Sequence, residues 1–446
     1  MSPCPGLRLV LASVGSRGDV QPMLSLGQVL RQHGHSVLIA APPDFETWVQ
    51  SMGFDFAPVG QHMQQYLADN PAVLTGNVRR ATPLLKRYFA DSLPPQMQEL
   101  LTICADADAM VWAGLAIAAP SAAERLGIPA LGVLYSTCMV PSGLHPPPTV
   151  RWHGLAAWIN HTLWWLHDRL AASMLGLPLN QARRRAGLAE VNLRDYLLHG
   201  CDYAIATDET LFPGDPAWPS NLQRANYLFL DDPAPLDPEL DAWLQDGEPP
   251  IYIGFGSMGG PGTQRMEKLL PQALEDSSRR CLIAAGWAGL GTQTLPSGWR
   301  RVATAPHALL FPRLAVVVHH GGSGTTAQAL RAGVPQVLLP LILDQYHHAH
   351  RLYVAGLTPA PVSMERISAK QLSQSIEAAI AWPLAPRQAA ATRLQQSDGA
   401  AQIAKQIETL CLRTNSKGIA PTLATACAAR PPEGSLPAWG GPTPGS

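Results

Sequence analysis

The sequence predicts an α/β protein of two parallel-sheet domains, on three observations. Short β-branched and aliphatic runs alternate with amphipathic stretches, the pattern of successive βαβ units. Several runs, Val316-Val317-Val318 among them, are apolar throughout, which marks strands buried on both faces. The alternation also restarts past residue 235 in a chain of 446 residues, too long for one ordinary core.

In order, residues 7–12 are the first strand, followed by a glycine-containing turn and a helix over about 22–32 that Gly34 ends. Residues 37–40 form the second strand. Phe45, Val49 and Met52 repeat at helical spacing before a strand at 54–59. Strands follow at 110–112, 129–135, 202–206 and 227–230, with an alanine-rich helix at 116–126. Asp106 and Asp108 have the look of a DxD metal motif, but a solvated loop before a buried strand suits them better. Between 140 and 187, Pro146, Pro147 and Pro148 break the chain, and Trp152, Trp158, Trp164 and Trp165 follow on helical segments. Core packing accounts for such tryptophans; so does an apolar pocket or a surface that touches lipid.

Residues 231–238 have linker composition, which sets a first domain at 1–235. The second, 236–386, carries strands at 251–255, 281–285, 301–304, 316–318 and 337–339, with helices at 265–275, 325–332, 345–355 and 369–381. A last helix is expected at 387–412, and the Pro-, Gly-, Ala- and Ser-rich residues 413–446 are expected to be disordered.

The most informative stretch is strand, His319-His320, Gly321-Gly322-Ser323-Gly324, then a helix opened by Thr325. The first N–H groups of a helix lack internal partners and carry partial positive charge, so this is a diphosphate seat or a tight turn whose histidines cap a strand. No Lys follows the glycines and no GxGxxG precedes an acid, so neither a P-loop nor a dinucleotide fingerprint fits. Ser257, on a glycine turn at another strand end, is a second phosphate donor or a turn serine. Asp19 lies where the first strand gives way to a helix, at the sheet edge where ligands bind. A carboxylate there takes a proton from a substrate hydroxyl, or simply caps the helix.

A net charge of -1 gives no basic field for nucleic acid. The seven cysteines include no CxxC pair, which fits reduced thiols in the cytoplasm and no metal framework. The N-terminus has no secretory layout, and no apolar run reaches the roughly 18 residues of a membrane span.

These motifs together resemble the family 1 nucleotide-sugar glycosyltransferases of GT-B architecture. Residues 15–22, GSRGDVQP, are similar to the GSRGDxxP loop of the bacterial branch. Residues 305–313, APHALLFPR, look like the PHxxLFPR segment of sterol-glycosylating members. Residues 319–326 match HHGGxGTT, Asp344-Gln345 match the terminal DQ, and the stretch between is similar to macrolide and rhamnosyl transferases.

The resemblance, over residues 7–412, implies two Rossmann-like, doubly wound domains facing across a cleft, with the last helix crossing back to the first. It implies an inverting, metal-independent transfer of a hexose from a UDP- or dTDP-sugar to a hydroxyl of a sterol, hydroxy-lipid or polyketide. Asp19 falls at the catalytic base. Ser257, His320, Gly322, Ser323, Gly324 and Thr325 fall at the donor diphosphate, and Asp344 and Gln345 at the donor sugar. Thr304, Ala305 and His307 fall at the base and ribose, as does Gln328. Plant members have Trp where Thr304 stands and Glu where Gln328 stands, which leaves UDP and dTDP both open. No cofactor and no metal are expected beyond the nucleotide sugar as co-substrate. The expected partners are that donor and an apolar acceptor, with peripheral contact to the inner membrane face through the Trp-rich segment. A nucleotide-sugar 2-epimerase and a non-catalytic nucleotide-sugar-binding subunit are the alternatives.

Overall fold

The computed structural model describes residues 6–230, 234–258, 261–275, 279–287, 290–291 and 295–417. Seven strands form one sheet: β1 (Arg8–Val14), β2 (Ser36–Ala41), β3 (Asp55–Pro58), β4 (Ala109–Gly114), β5 (Ala130–Leu134), β6 (Asp202–Ala206) and β7 (Leu222–Ala225). Five form a second: β8 (Ile251–Gly254), β9 (Cys281–Ala284), β10 (Trp299–Val302), β11 (Val316–His319) and β12 (Gln336–Leu338). The strand orders are 3-2-1-4-5-6-7 and 10-9-8-11-12, with every pairing parallel. This is GT-B architecture. In each sheet the winding reverses beside the first strand, between β1 and β4 and between β8 and β11. Ligands of open α/β sheets sit at the carboxyl ends of such strand pairs, so the fold itself names two facing edges as the site.

Six helices matter below: α1 (Arg17–Gln32), α2 (Ala157–Ala171), α3 (Ser323–Ala332), α4 (Gln345–Val354), α5 (Leu384–Gln395) and α6 (Gly399–Lys417). Leu24, Leu26 and Leu30 of α1 are fully buried and pack on one face of the first sheet, with Ile403, Ala404 and Ile407 of α6 in the same core.

Four expectations are corrected. Helix α1 begins at Arg17, not near Pro22, because Ser16 in extended conformation supplies the cap. Helix α3 begins at Ser323, two residues before Thr325, with Gly322 as its cap. The strand expected at 227–230 is not one; the last strand of the first sheet is Leu222–Ala225, paired with β6. Tyr227 and Leu230 are buried in two different cores, so their apolar character records burial rather than pairing. The single last helix breaks at 396–398, where Asp398 caps α6 by accepting the Ala401 N–H at 3.0 Å. Helix α5 packs on the second domain through Ala390 and Leu394, and α6 on the first. Glu408 of α6 takes hydrogen bonds from His33 (2.7 Å) and His35 (3.1 Å) at the far end of α1.

Core packing holds for Trp164, which is 4% exposed, but Trp152, Trp158 and Trp165 are 72%, 70% and 50% exposed. Among the described residues, no helix is long and apolar enough to cross a membrane, and the described cysteines are free and buried. The disorder expected beyond 413 falls largely on residues outside those described, since α6 runs to Lys417.

Candidate functional site

Asp19 is the third residue of α1, and its carboxylate folds back onto the cap. Oδ2 accepts the Ser16 N–H at 2.7 Å and the Ser16 hydroxyl at 3.0 Å. This is a capping box. It uses only one oxygen; Oδ1 takes no hydrogen bond from a described residue. Two glycines make room for the group. A Cβ on Gly15 would lie 2.3 Å from Oδ2. One on Gly114, at the end of β4 with φ +61, would lie 2.4 Å from the Val14 carbonyl and 3.0 Å from Oδ1. Both strands of the first reversal therefore leave space around one carboxylate. Burial raises Asp19 from 3.8 to about 6, the Ser16 donors hold it down, and nearby Asp344 raises it further.

Across the cleft, β11 ends in His319 and His320 follows it, and the two have different roles. His319 is fully buried and structural: Nε2 donates to Gln336 Oε1 (2.9 Å) and Nδ1 accepts the Gly321 N–H (3.2 Å). His320 Nδ1 is buried with no partner. Burial first, and the neighbouring His319 and His348 next, hold the His320 ring neutral, down to about 3. A Cβ on Gly322 would lie 2.5 Å from His320 Nε2, so the imidazole lies directly against this glycine. The N–H groups of Ser323, Gly324 and Thr325 have no carbonyl inside α3, and Gly324 is exposed. The turn carrying Ser257 adjoins, since a Cβ on Gly256 would touch His320 Cε1 at 3.6 Å. The helix start thus gathers unpaired amides and a neutral imidazole at one spot, an arrangement able to hold an anion.

Leu343, with φ +49, is the one non-glycine in the left-handed region among the described residues. Backbone strain of this kind gathers at working sites. Leu343 leads into Asp344, the half-buried cap residue of α4. Gln345 instead turns inward: Oε1 accepts the Leu341 and Ile342 N–H groups (2.9 and 3.1 Å) and Nε2 meets Met258 Sδ at 3.4 Å. Its amide holds the loop together.

A cavity of about 500 Å³ lies between the domains, lined by Thr304, Ala305, Pro306 and Arg301 on one side and Arg17 on the other. His307 lies against Phe311 (4.3 Å, 18°) and bonds Tyr252 Oη at 3.2 Å, so it braces that loop from behind. Gln328 is half-buried on α3. Arg17 stacks over Trp48 at 4.3 Å, and Trp287 of the second domain stacks on Phe45 of the first at 5.6 Å.

Three consecutive residues after β5 were not expected and join the two edges. Tyr135 donates its hydroxyl to the Asp19 main-chain oxygen (3.1 Å), while its own carbonyl accepts the Ser323 hydroxyl (2.8 Å). Ser136 Oγ bonds His348 Nε2 (3.1 Å), and His348 Nδ1 donates to the Gly321 carbonyl (2.8 Å). Thr137 Oγ1 bonds His347 Nε2 at 2.9 Å. The signal in the sequence was the histidine-rich run His347-His348-Ala349-His350 just past Asp344-Gln345.

The DxD pair is a surface loop: Asp108 Oδ2 accepts the Arg8 N–H (2.7 Å), and Asp106 pairs with the Arg8 guanidinium at 3.5 Å. Among the described residues, one trio of metal-type side chains converges, His33, His35 and Glu408. It lies at the opposite end of α1 from Asp19, about 20 Å along the helix. His35 Nδ1 there accepts the Leu7 N–H at 3.1 Å, which places the ring proton on Nε2, toward Glu408.

Comparison with known proteins agrees with the fold. Residues 9–136 match the Glycosyltransferase family 28 N-terminal domain, and residues 282–410 match the Erythromycin biosynthesis protein CIII-like, C-terminal domain. Vancomycin aglycone glucosyltransferase of Amycolatopsis orientalis is 32% identical over 90% of this chain and 96% of its own length. A sterol 3-beta-glucosyltransferase of Arabidopsis thaliana is 29% identical over 83% of this chain and 63% of its own length. The crystal structure of glycosyltransferase VinC in complex with dTDP superposes with a TM-score of 0.67, covering 91% of this chain and all of that one, at 20% identity. That last likeness concerns the fold alone.

Proposed function

The chain belongs to the glycosyltransferases of GT-B form that include these relatives, and from that premise we propose an inverting, metal-independent hexose transfer. The donor is a UDP- or dTDP-sugar, and the acceptor is a hydroxyl on a sterol-, hydroxy-lipid- or polyketide-like molecule. Asp19 takes the acceptor proton as that oxygen attacks the anomeric carbon. The bond to the diphosphate oxygen breaks on the opposite face. Charge gathering on the leaving diphosphate is met by the free amides of α3, by His320 and by Ser257, a fixed-dipole stabilisation. Asp344 addresses the sugar hydroxyls, and the 500 Å³ cavity beside Thr304, Ala305 and Arg17 takes the base and ribose.

The observation that carries the reading is the placement of Asp19. It is a carboxylate with one unengaged oxygen, raised to about 6, at a sheet edge that faces the glycine turn of the other domain. A base of that strength is half ionised near pH 6 and ready at pH 7. An apolar acceptor is supported by the exposed Trp152, Trp158 and Trp165, with Arg169 stacked on Trp165 at 4.2 Å. Aromatic and arginine side chains on one helix face suit a lipid headgroup boundary, so we place the enzyme in the cytoplasm with this face touching the membrane.

The test is a donor-by-acceptor screen by mass spectrometry, with UDP-glucose and dTDP-glucose against sterol and macrolide aglycones. A hexosylated product of inverted anomeric configuration by NMR, formed after exhaustive chelation, is the expected result. Retention of configuration, a strict need for added Mg²⁺ or Mn²⁺, or conversion of donor alone into another sugar would each overturn it.

A further inference from the structure

The chain between β3 and the helix Val78–Ile103 belongs to the first domain but reaches into the core of the second. Leu74, in the short 3-10 helix Pro71–Thr75, is 6% exposed and shares its core with Met266, Leu341, Ile342 and Met364. Apart from Leu67, which lies partly buried against it, the rest of that core comes from the second domain. An apolar side chain leaves water only where neighbours cover it, so the burial of Leu74 depends on the two domains being together.

Leu341 and Ile342 open the loop that continues through the strained Leu343 to Asp344 and Gln345. Gly76 adjoins the same loop. A Cβ there would lie 3.0 Å from the Leu341 carbonyl, 3.5 Å from Ile342 Cγ2 and 2.6 Å from Arg151 Nη2. Arg151, also of the first domain, lies over the Tyr346 ring at 5.3 Å and pairs with Glu365 at 3.0 Å. Residues 341–346 are thus flanked from the first domain by Leu74, Gly76 and Arg151. From within, Gln345 Oε1 holds the Leu341 and Ile342 N–H groups. A leucine in the left-handed region persists only where its surroundings over-determine it, and part of that constraint crosses the cleft.

We propose that Leu74 is a positioning residue for the donor sugar. Docked in the second domain, with Arg151 beside the same loop, it fixes residues 341–345 so that Asp344 meets the sugar hydroxyls. The first domain thereby completes recognition of the hexose. Recognition of the diphosphate does not need it, because the start of α3, His320 and the Ser257 turn all belong to the second domain. Leu74 is apolar and buried, so it acts through the loop and not on the sugar itself. This role rests on the assignment of Asp344 to the sugar made above. Its consequence is specific: the hexose, and not the nucleotide, loses its hold when Leu74 is truncated.

The experiment is calorimetry on the full chain with UDP, UDP-glucose, dTDP and dTDP-glucose, joined by donor kcat/KM. Leu74→Ala should leave the affinity for the free nucleotide unchanged. It should lower both the affinity for the matching nucleotide sugar and the donor kcat/KM by roughly tenfold, as a loosened sugar loop would. Leu74→Met conserves volume and should restore most of the loss. Arg151→Gln empties no core and should show the same split, so it decides the matter if Leu74→Ala melts without cooperativity. Equal losses for nucleotide and nucleotide sugar, or no loss for either, would overturn the role of Leu74. Asp344→Asn keeps the two readings apart. If it leaves nucleotide-sugar affinity unchanged, the assignment of Asp344 fails; if it lowers that affinity while Leu74→Ala and Arg151→Gln do not, only the role of Leu74 falls. Wild-type protein that binds no nucleotide sugar would overturn both.

Discussion

Asp344 of the second domain raises the proton affinity of Asp19 in the first, so two acids set far apart in the chain share one electrostatic site. The reacting form of Asp19 is the ionised one. The rate should therefore fall about tenfold per pH unit below its folded pKa, giving an acid limb in kcat/KM near pH 6. Asp344→Asn removes a like charge and should move that limb to lower pH. Ser16→Ala removes a stabilising donor and should move it to higher pH. Profiles of the three proteins between pH 4.5 and 8 check both signs, and a limb that ignores both changes would separate it from Asp19.

Asp19→Asn should keep nucleotide diphosphate affinity and lose at least about a hundredfold in kcat, the low end for one general base. It should also be the more stable protein at neutral pH. The folded pKa is raised, so Asp19 favours the native state at low pH and loses that contribution as pH rises from 3.8 through about 6. The asparagine escapes this penalty, and Oδ1 of Asn still accepts from Ser16. Discounted for the part of the group that solvent reaches, the gain above pH 7 is on the order of 1 kcal/mol, and none is expected at pH 4. Thermal melts at the two pH values decide it.

Gly322→Ala tests the seat without touching a hydroxyl. Gly322 has φ -62, so alanine suits its backbone, but the new methyl would meet His320 Nε2 at 2.5 Å and push the ring aside. UDP or dTDP affinity should fall roughly tenfold, about 1.4 kcal/mol. His320→Ala should fall comparably, and calorimetry measures both. Unchanged affinity in the two variants would remove His320 from the seat.

Tyr135→Phe and Ser323→Ala each delete one hydrogen bond of the bridge between Asp19 and the opening of α3. Such a bond has a net worth of about 0.5–1.5 kcal/mol. If the bridge sets the distance between base and donor, the loss should appear in kcat by roughly two- to tenfold, with the donor KM little changed. A change confined to KM would assign the pair to binding alone.

The sheets were legible because strands buried on both faces need unbroken apolar runs, and runs such as Val316-Val317-Val318 have few other uses. The glycine turns were legible because only a few residue types fit such geometry. Boundaries were less so. Ser16 and Asp398 act as caps through only one or two local hydrogen bonds, too weak a signal beside a long amphipathic pattern. Tyr227 and Leu230 read as strand because burial and pairing leave the same apolar mark. The bridge at Tyr135, Ser136 and Thr137 was invisible for another reason. Its partners Ser323, His347 and His348 lie far along the chain, and neither end is unusual until the two domains meet.

Gly399 has a consequence for any rotation of the two halves of the molecule. A Cβ there would lie 2.1 Å from the Asn226 carbonyl, and the Asn226 N–H bonds Gln402 at 2.9 Å. The outgoing and returning passages of the chain therefore touch here, and a rotation between the halves would have this spot as its pivot. Elsewhere, the stacked rings of Phe45 and Trp287 form a clasp with no covalent link across it, so rotation about the pivot would part that contact and spread the gap between Asp19 and Asp344 while both sheets stay intact.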